Sequence, residues 1–247
     1  MDNKIIKSFI VKDTLNPKVW NNPDNIKKAK LKPEVKKGLL DIANEFIDFI
    51  GVDFFIEDIE FTGSLANYNW SEYSDYDLHI IFDETQFKKS KDVYLDLFKT
   101  KKLIFNEKHN LKIKNYPVEV YPQPMEKPDA SEGKYSLLKD EWVIVPKKDK
   151  PKINKEKLKH KIIHWVDVVN KTLEDANNSS LEASKTKIKN LSNRLDKFRK
   201  SGLQKGGEFS NENLVYKYLR RSGLLDKVFN YHYKKRSKEL SIENELN

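Results

Sequence analysis

Residues 61–82 read FTGSLANYNWSEYSDYDLHIIF and hold the most informative pattern in this chain. The apolar run 56–61 predicts a strand that ends in a turn at Gly63-Ser64. A short polar segment follows, and a second predicted strand opens with two acids that are separated by one residue. Because side chains alternate across a strand, Asp75 and Asp77 are expected on one face and the apolar side chains on the other.

Two carboxylates in this arrangement repel each other unless a cation lies between them, and oxygen ligands suit Mg²⁺. The Gly63-Ser64 turn can place backbone N–H groups and a hydroxyl against a triphosphate. A third acid, Glu119, lies between two valines in a run that predicts another short strand. If that strand lies beside the strand of Asp75 and Asp77, the three carboxylates form a site for two metal ions about 3.5–4 Å apart.

The order Gly63-Ser64, Asp75-x-Asp77 and distal Glu119 resembles the polymerase-β-type nucleotidyltransferase superfamily, over roughly residues 33–145. The sequence around the motif is also similar to that of nucleotidyltransferases predicted in bacteriophage genomes. The resemblance implies that Asp75, Asp77 and Glu119 bind Mg²⁺ or Mn²⁺, with Glu119 also acting as the base. It implies that Gly63 and Ser64 hold the β- and γ-phosphates of an NTP, whose NMP moves to an acceptor hydroxyl.

The positive charge of the chain is unevenly distributed. The 247 residues carry a formal net charge of +9, but residues 1–150 sum to −1 and residues 151–247 to +10. This asymmetry favours a polyanionic partner for the C-terminal half, although a general enrichment in lysine explains it too. The candidate nucleic-acid contacts lie on one predicted helix and are Lys185, Lys187, Lys189, Arg194 and Lys197. RNA, such as a tRNA 3′ end, is therefore the expected acceptor.

The pattern of elements predicts an α+β protein. Residues 1–150 are expected to form a nucleotidyltransferase catalytic domain, a small mixed sheet flanked by helices, and residues 151–247 a basic α-helical domain. Residues 1–25 are predicted to be irregular. The prolines that follow Glu119 are predicted to break the chain, namely Pro122, Pro124 and Pro128.

Other functions fit the same motif. The acceptor could be a small molecule or a protein, as in toxin or resistance enzymes, or the product could be an oligonucleotide second messenger. A non-catalytic, nucleotide-binding module of antitoxin type is disfavoured because the turn and all three acids are present. His79 shares the face of Asp77 and either orients a metal ligand or is hydrogen-bonded within the strand. The absence of cysteine and of any membrane-spanning run indicates a cytoplasmic protein, acting in the host cytoplasm if it is phage-encoded.

Overall fold

The computed structural model describes residues 2–126, 132–148 and 151–241. These residues divide into two compact units, one of residues 10–150 and one of residues 1–9 with 151–247. The helices are α1 (Asn3–Lys7), α2 (Pro33–Ile50), α3 (Lys91–Lys108), α4 (Lys155–Asn177), α5 (Leu181–Gly206), α6 (Asn211–Arg221), α7 (Leu224–Phe229) and α8 (Tyr231–Leu240). The strands are β1 (Trp20–Asn21), β2 (Lys30–Leu31), β3 (Ile56–Thr62), β4 (Tyr76–Phe82), β5 (Lys112–Ile113), β6 (Tyr116–Pro124), β7 (Lys134–Ser136) and β8 (Glu141–Ile144).

The unit of residues 10–150 is built on a mixed sheet with the strand order β5-β6-β4-β3-β7-β8. β4 and β6 run parallel, whereas the other neighbouring strands of this sheet are antiparallel. The chain passes from β4 to the parallel β6 through α3, as a parallel connection requires. A mixed sheet with helices, followed by a helical C-terminal region, confirms the predicted α+β class.

One face of the sheet forms the hydrophobic core of this unit. The alternate β4 residues Tyr76, Leu78 and Ile80 are fully buried, in the same core as Phe46 of α2 and Phe105 of α3. Each large apolar side chain buried in this way contributes about 1.5–3 kcal/mol. Because the period of a strand is two, the residues between them must lie on the opposite face, which carries the polar side chains.

The segment before α2 supports the turn that follows β3. Trp20 is fully buried, stacks on Phe61 and Trp142 at ring-centroid distances of 5.9 and 4.6 Å, and donates its indole N–H to the carbonyl of Leu65 at 2.8 Å. The prediction that residues 1–25 are irregular is therefore wrong in part. A buried aromatic side chain and the β1–β2 pairing order the second half of this segment.

The second unit is helical, with α4, α5 and α6 packed against one another. The first residues of the chain belong to it, because the Asp2 N–H donates to the Tyr218 hydroxyl at 2.8 Å and Arg221 donates to Ser8 Oγ at 2.6 Å. The sequence-based division places residues 1–9 in the other region, since a short helix so far from its partners in sequence leaves no local signal. None of the described helices has the length and apolarity needed to cross a bilayer.

β6 contains prolines that were expected to end it. The prediction that Pro122 breaks the chain is wrong, since the strand continues to Pro124, where it does end; Pro128 lies outside the described residues. The backbone N–H groups of Val118 and Val120 point away from β4. They donate to the Leu111 carbonyl and to the Asn106 side chain. Alternation gives the two prolines the same outward direction, so a missing N–H removes no bond to β4.

Asn106 of α3 replaces a neighbouring strand at the outer edge of β6. Its side chain accepts from the Val120 N–H at 3.0 Å and donates to the Val120 carbonyl at 3.1 Å. We expect Asn106→Ala to lower the free energy of unfolding by about 1–3 kcal/mol, because it leaves two part-buried backbone groups without a partner. Urea denaturation followed by circular dichroism measures the change. Asn44→Ala, at an exposed position of α2, is the control and should be near neutral; equal effects would contradict the prediction.

Candidate active site

The three predicted acids come together at one end of the β4–β6 pair. The parallel register sets Asp77 opposite Glu119, and Asp75 directly precedes β4. One carboxylate oxygen from each of the three lies within 4.8 Å of the other two. The alternating β4 residues are buried on the other face, so the acids lie on the polar face of the sheet. The juxtaposition expected from the sequence is therefore present.

Gly63 lies against the carboxylate of Asp77. It follows β3, whose last residue, Thr62, is in register with Asp77. Its backbone has φ 79° and ψ −163°, a conformation that is open almost only to glycine. A β-carbon added at this position would stand 1.9 Å from Asp77 Oδ2 and 2.9 Å from its Cγ. Glycine is thus required here both by the backbone angles and by the space that Asp77 occupies.

Ser64 opens a short 3₁₀ turn, Ser64–Ala66, directly after Gly63. Its hydroxyl donates to Ser74 Oγ at 2.7 Å, and Ser74 Oγ in turn accepts from the Ser71 N–H at 2.9 Å. This chain of hydrogen bonds ties the start of the polar segment to its end, immediately before Asp75. The turn and the acid pair are therefore one local structure, although ten residues separate the two serines.

Tyr121 is a site residue that the sequence analysis did not single out. Its hydroxyl donates to Glu119 Oε2, and its ring stacks on His79 at 5.0 Å between centroids. Burial raises the pKa of Tyr121, and the hydrogen bond and charge of Glu119 raise it further, so the phenol remains a donor. The sequence does contain a signal for this residue, because Tyr121 follows Glu119 by two residues and must share its face of the strand. His79 itself is hydrogen-bonded to Gln123.

Lys102 of α3 supplies a positive charge beside the acids. Its Nζ lies 3.7 Å from the centroid of the Tyr121 ring. Burial lowers the pKa of Lys102, while the nearby charges of Glu119 and Asp77 act in the opposite direction. Sequence alone could not identify this residue, because nothing in a lysine-rich helix indicates which lysine reaches over the sheet edge.

A cleft of about 560 Å³ opens beside the last residues of β6, and Tyr121 and Lys102 are among the residues that line it. It lies between α3 and the end of β6. Apolar and charged side chains both line it, and among them are Leu95, Pro122, Pro124, Asp96 and Lys99. Tyr121, whose hydroxyl donates to Glu119, is one of the lining residues, and β6 lies on the side of β4 away from β3 and the Gly63-Ser64 turn.

The acid cluster fits a divalent metal ion. Its donor set is made only of carboxylate oxygens, which suits Mg²⁺ or Mn²⁺ and not the softer metals that prefer sulfur or imidazole. The mutual distances of up to 4.8 Å allow the three oxygens to share a cation. Asp75, Asp77 and Glu119 are therefore the residues that would hold it.

The basic candidates for nucleic-acid binding all lie on α5, and all are exposed: Lys185, Lys187, Lys189, Arg194 and Lys197. The opposite side of α5 buries Ile188, Leu191 and Leu195. Arg194 also covers the ring of Trp165 at 5.5 Å. The five cations are therefore presented to solvent by the helical unit, as the sequence pattern predicted.

Replacing Gly63 with alanine should displace the Asp77 carboxylate and weaken divalent-ion binding. We expect Gly63→Ala to raise the Kd for Mn²⁺, measured by electron paramagnetic resonance of the free ion, at least tenfold. Gly207→Ala is the matched control, since Gly207 has a closely similar backbone conformation, φ 65° and ψ −159°, with no heavy atom within 4 Å of the added carbon. Unchanged Mn²⁺ binding in Gly63→Ala would contradict the assigned packing.

Comparison with known proteins identifies the family. A family model described as a nucleotidyltransferase domain matches residues 40–164, a range that includes the Gly63-Ser64 turn and all three acids. No curated protein and no solved structure that was compared with the chain gave a match. The family model covers half of the chain and spans the sheet strands that carry the acid cluster. The chain therefore belongs to the nucleotidyltransferase domain family.

Proposed function

We propose that this protein is a divalent-metal-dependent nucleotidyltransferase that moves an NMP from an NTP to an acceptor hydroxyl and releases pyrophosphate. The observation that carries the proposal is the convergence of Asp75, Asp77 and Glu119 beside the Gly63-Ser64 turn. Two-metal sites of carboxylates suit in-line displacement at phosphorus. Family membership supports nucleotidyl transfer in general, and the acid cluster supports the dependence on metal.

Each residue of the site has a chemical task in this proposal. Gly63 and Ser64 bind the β- and γ-phosphates through backbone N–H groups and the serine hydroxyl. Glu119 accepts the proton of the acceptor hydroxyl, whose oxygen forms a bond to the α-phosphorus while the bond to the leaving pyrophosphate breaks. Metal ions held by Asp75, Asp77 and Glu119 would neutralise the charge that builds up on the phosphate oxygens.

RNA is the acceptor that we infer for the transferred NMP. The support is electrostatic, since residues 151–247 carry a formal net charge of +10 and α5 exposes several lysine and arginine side chains. Contacts between such side chains and phosphates supply most of the affinity in sequence-independent RNA binding. In an in-line displacement the attacking and leaving oxygens lie on opposite sides of the phosphorus. Because the leaving pyrophosphate is assigned to Gly63 and Ser64, on the β3 side of β4, the strand order favours approach of the acceptor hydroxyl from the β6 side.

The cleft beside Tyr121 favours a second candidate acceptor, a small molecule. Its volume of about 560 Å³ is in the range of sites that enclose a compact ligand. Its lining mixes apolar side chains with Asp96, Lys99 and Lys102, a combination that suits a polar molecule with charged groups. The product of the reaction therefore distinguishes the two candidates.

Incubation with each α-³²P-labelled NTP, Mg²⁺ and total cellular RNA should transfer label to RNA. We expect Asp75→Asn and Asp77→Asn to reduce the transfer roughly a hundredfold or more, because several kcal/mol of charge stabilisation are lost. Asp48→Asn, at an exposed position of α2, is the matched control and should retain full activity. The label is followed on a denaturing gel and on thin-layer plates.

The distribution of label decides among the acceptors. A discrete RNA band that is absent with Asp77→Asn supports RNA transfer, whereas label in small products supports a small-molecule acceptor and overturns the RNA inference. Transfer that is equally efficient with both aspartate variants would overturn the metal-dependent mechanism.

Removal of charge from α5 should weaken RNA binding and flatten its salt dependence. The test variant combines glutamine substitutions at Lys185, Lys189, Arg194 and Lys197. We expect the slope of log K against log salt to flatten by about 0.7 for each phosphate of a single-stranded RNA that the variant no longer neutralises. Fluorescence anisotropy of a labelled RNA at several salt concentrations measures both quantities.

A charge-matched control separates a defined RNA surface from the general effect of net charge. It carries glutamine at four lysines that are exposed in the other unit, Lys27, Lys28, Lys108 and Lys112. RNA affinity should fall much less in this control than in the α5 variant. Equal reductions in the two variants would remove α5 as the binding surface.

A further inference from the structure

We propose that Tyr121 is a positioning residue that holds Glu119 in the acid cluster, and that Lys102 and His79 clamp its ring for this purpose. The proposal rests on the proposed function, since it assumes that Glu119 binds the metal ion. The direct observation is the hydrogen bond from the Tyr121 hydroxyl to Glu119 Oε2. Tyr121 touches a metal-binding carboxylate and is not assigned a contact with metal or substrate.

Glu119 needs such support more than Asp77 does. A glutamate side chain has one more rotatable bond than an aspartate, and the entropy lost on fixing it is larger. The Asp77 carboxylate is already confined by its packing against the Gly63 backbone. Glu119 lies on β6, on the side of β4 away from that glycine. A hydrogen bond from Tyr121 therefore supplies the confinement that the glycine supplies to Asp77.

The ring of Tyr121 is itself fixed from two other elements. His79 of β4 stacks on it with an interplanar angle of 28°, and Lys102 of α3 places its ammonium group 3.7 Å from the ring centroid. Gln123 bonds to His79 and so restrains that ring. An aromatic ring between a stacked ring and a cation gains energy from both contacts, which limits its rotation. The hydroxyl is thereby held in place beside Glu119.

This arrangement predicts that removal of one hydroxyl weakens metal binding without disturbing the fold. Phenylalanine at position 121 keeps the ring, the stack on His79 and the contact with Lys102, and removes only the bond to Glu119. Removal of a partner that orients a metal ligand typically costs 10- to 100-fold in metal affinity or activity. The loss of metal affinity should be measurable in the free protein, before any nucleotide or acceptor is added.

The experiment is a double-mutant cycle in Mn²⁺ binding, measured by electron paramagnetic resonance of the free ion. We expect Tyr121→Phe to raise the Kd for Mn²⁺ roughly tenfold, and Glu119→Gln to raise it by at least as much. The double variant should bind no more weakly than Glu119→Gln alone, because Tyr121 acts only through Glu119. Tyr94→Phe, which removes a hydroxyl from α3 in the same unit, should leave the Kd unchanged, and melting temperatures check that each variant is folded.

The outcomes separate this proposal from the proposed function. If Glu119→Gln and Asp77→Asn weaken Mn²⁺ binding but Tyr121→Phe binds as well as the parent or more tightly, only the positioning role is overturned. If Tyr121→Phe adds its full effect to Glu119→Gln, the tyrosine acts by another route and the proposal is also overturned. If neither acid variant changes Mn²⁺ binding, the metal site is wrong and the positioning role falls with it.

Discussion

The parallel pairing of β4 with β6 forces like charges together, and the rest of the site follows from that constraint. The register leaves Asp77 and Glu119 side by side, with Asp75 close to both. Carboxylates at such distances repel each other, so the arrangement is held by the backbone ladder and by the buried apolar face beneath it. The repulsion is confined to the acid cluster, and the ammonium group of Lys102 offsets part of it through its attraction to Glu119 and Asp77.

The polar face of the sheet is organised in rows across the strands. Glu119 and Asp77 form the first row, next to Thr62 at the end of β3. Tyr121, His79 and Glu60 form the row behind it, and their registers align across β6, β4 and β3. Tyr121 of the second row contacts Glu119 of the first. Paired strands therefore carry Asp77 and Glu119 together with the tyrosine that contacts Glu119, so a rigid element positions these groups.

Strand periodicity made the acids predictable, and long-range contacts set the limit of what sequence could reveal. Alternation of polar and apolar residues correctly placed Asp77 and Glu119 on the polar face of their strands, and the structure shows that these two strands are neighbours. The expectation that proline ends a strand failed at Pro122, because a proline is tolerated where its nitrogen points away from the pairing strand. Lys102 and the packing of residues 1–9 on the helical unit depend on contacts between distant segments, and no local pattern encodes them.

The outer edge of β6 has a consequence for how the protein behaves at high concentration. An exposed strand edge normally offers a ladder of donors and acceptors on which a strand of another molecule can add, and such addition leads to aggregation. Here the outward donors at Val118 and Val120 are already engaged, and Pro122 and Pro124 have none to offer. An incoming strand would therefore find no free backbone donor at these four residues. The edge beside the cleft can thus remain open to a substrate while it resists intermolecular β-sheet growth.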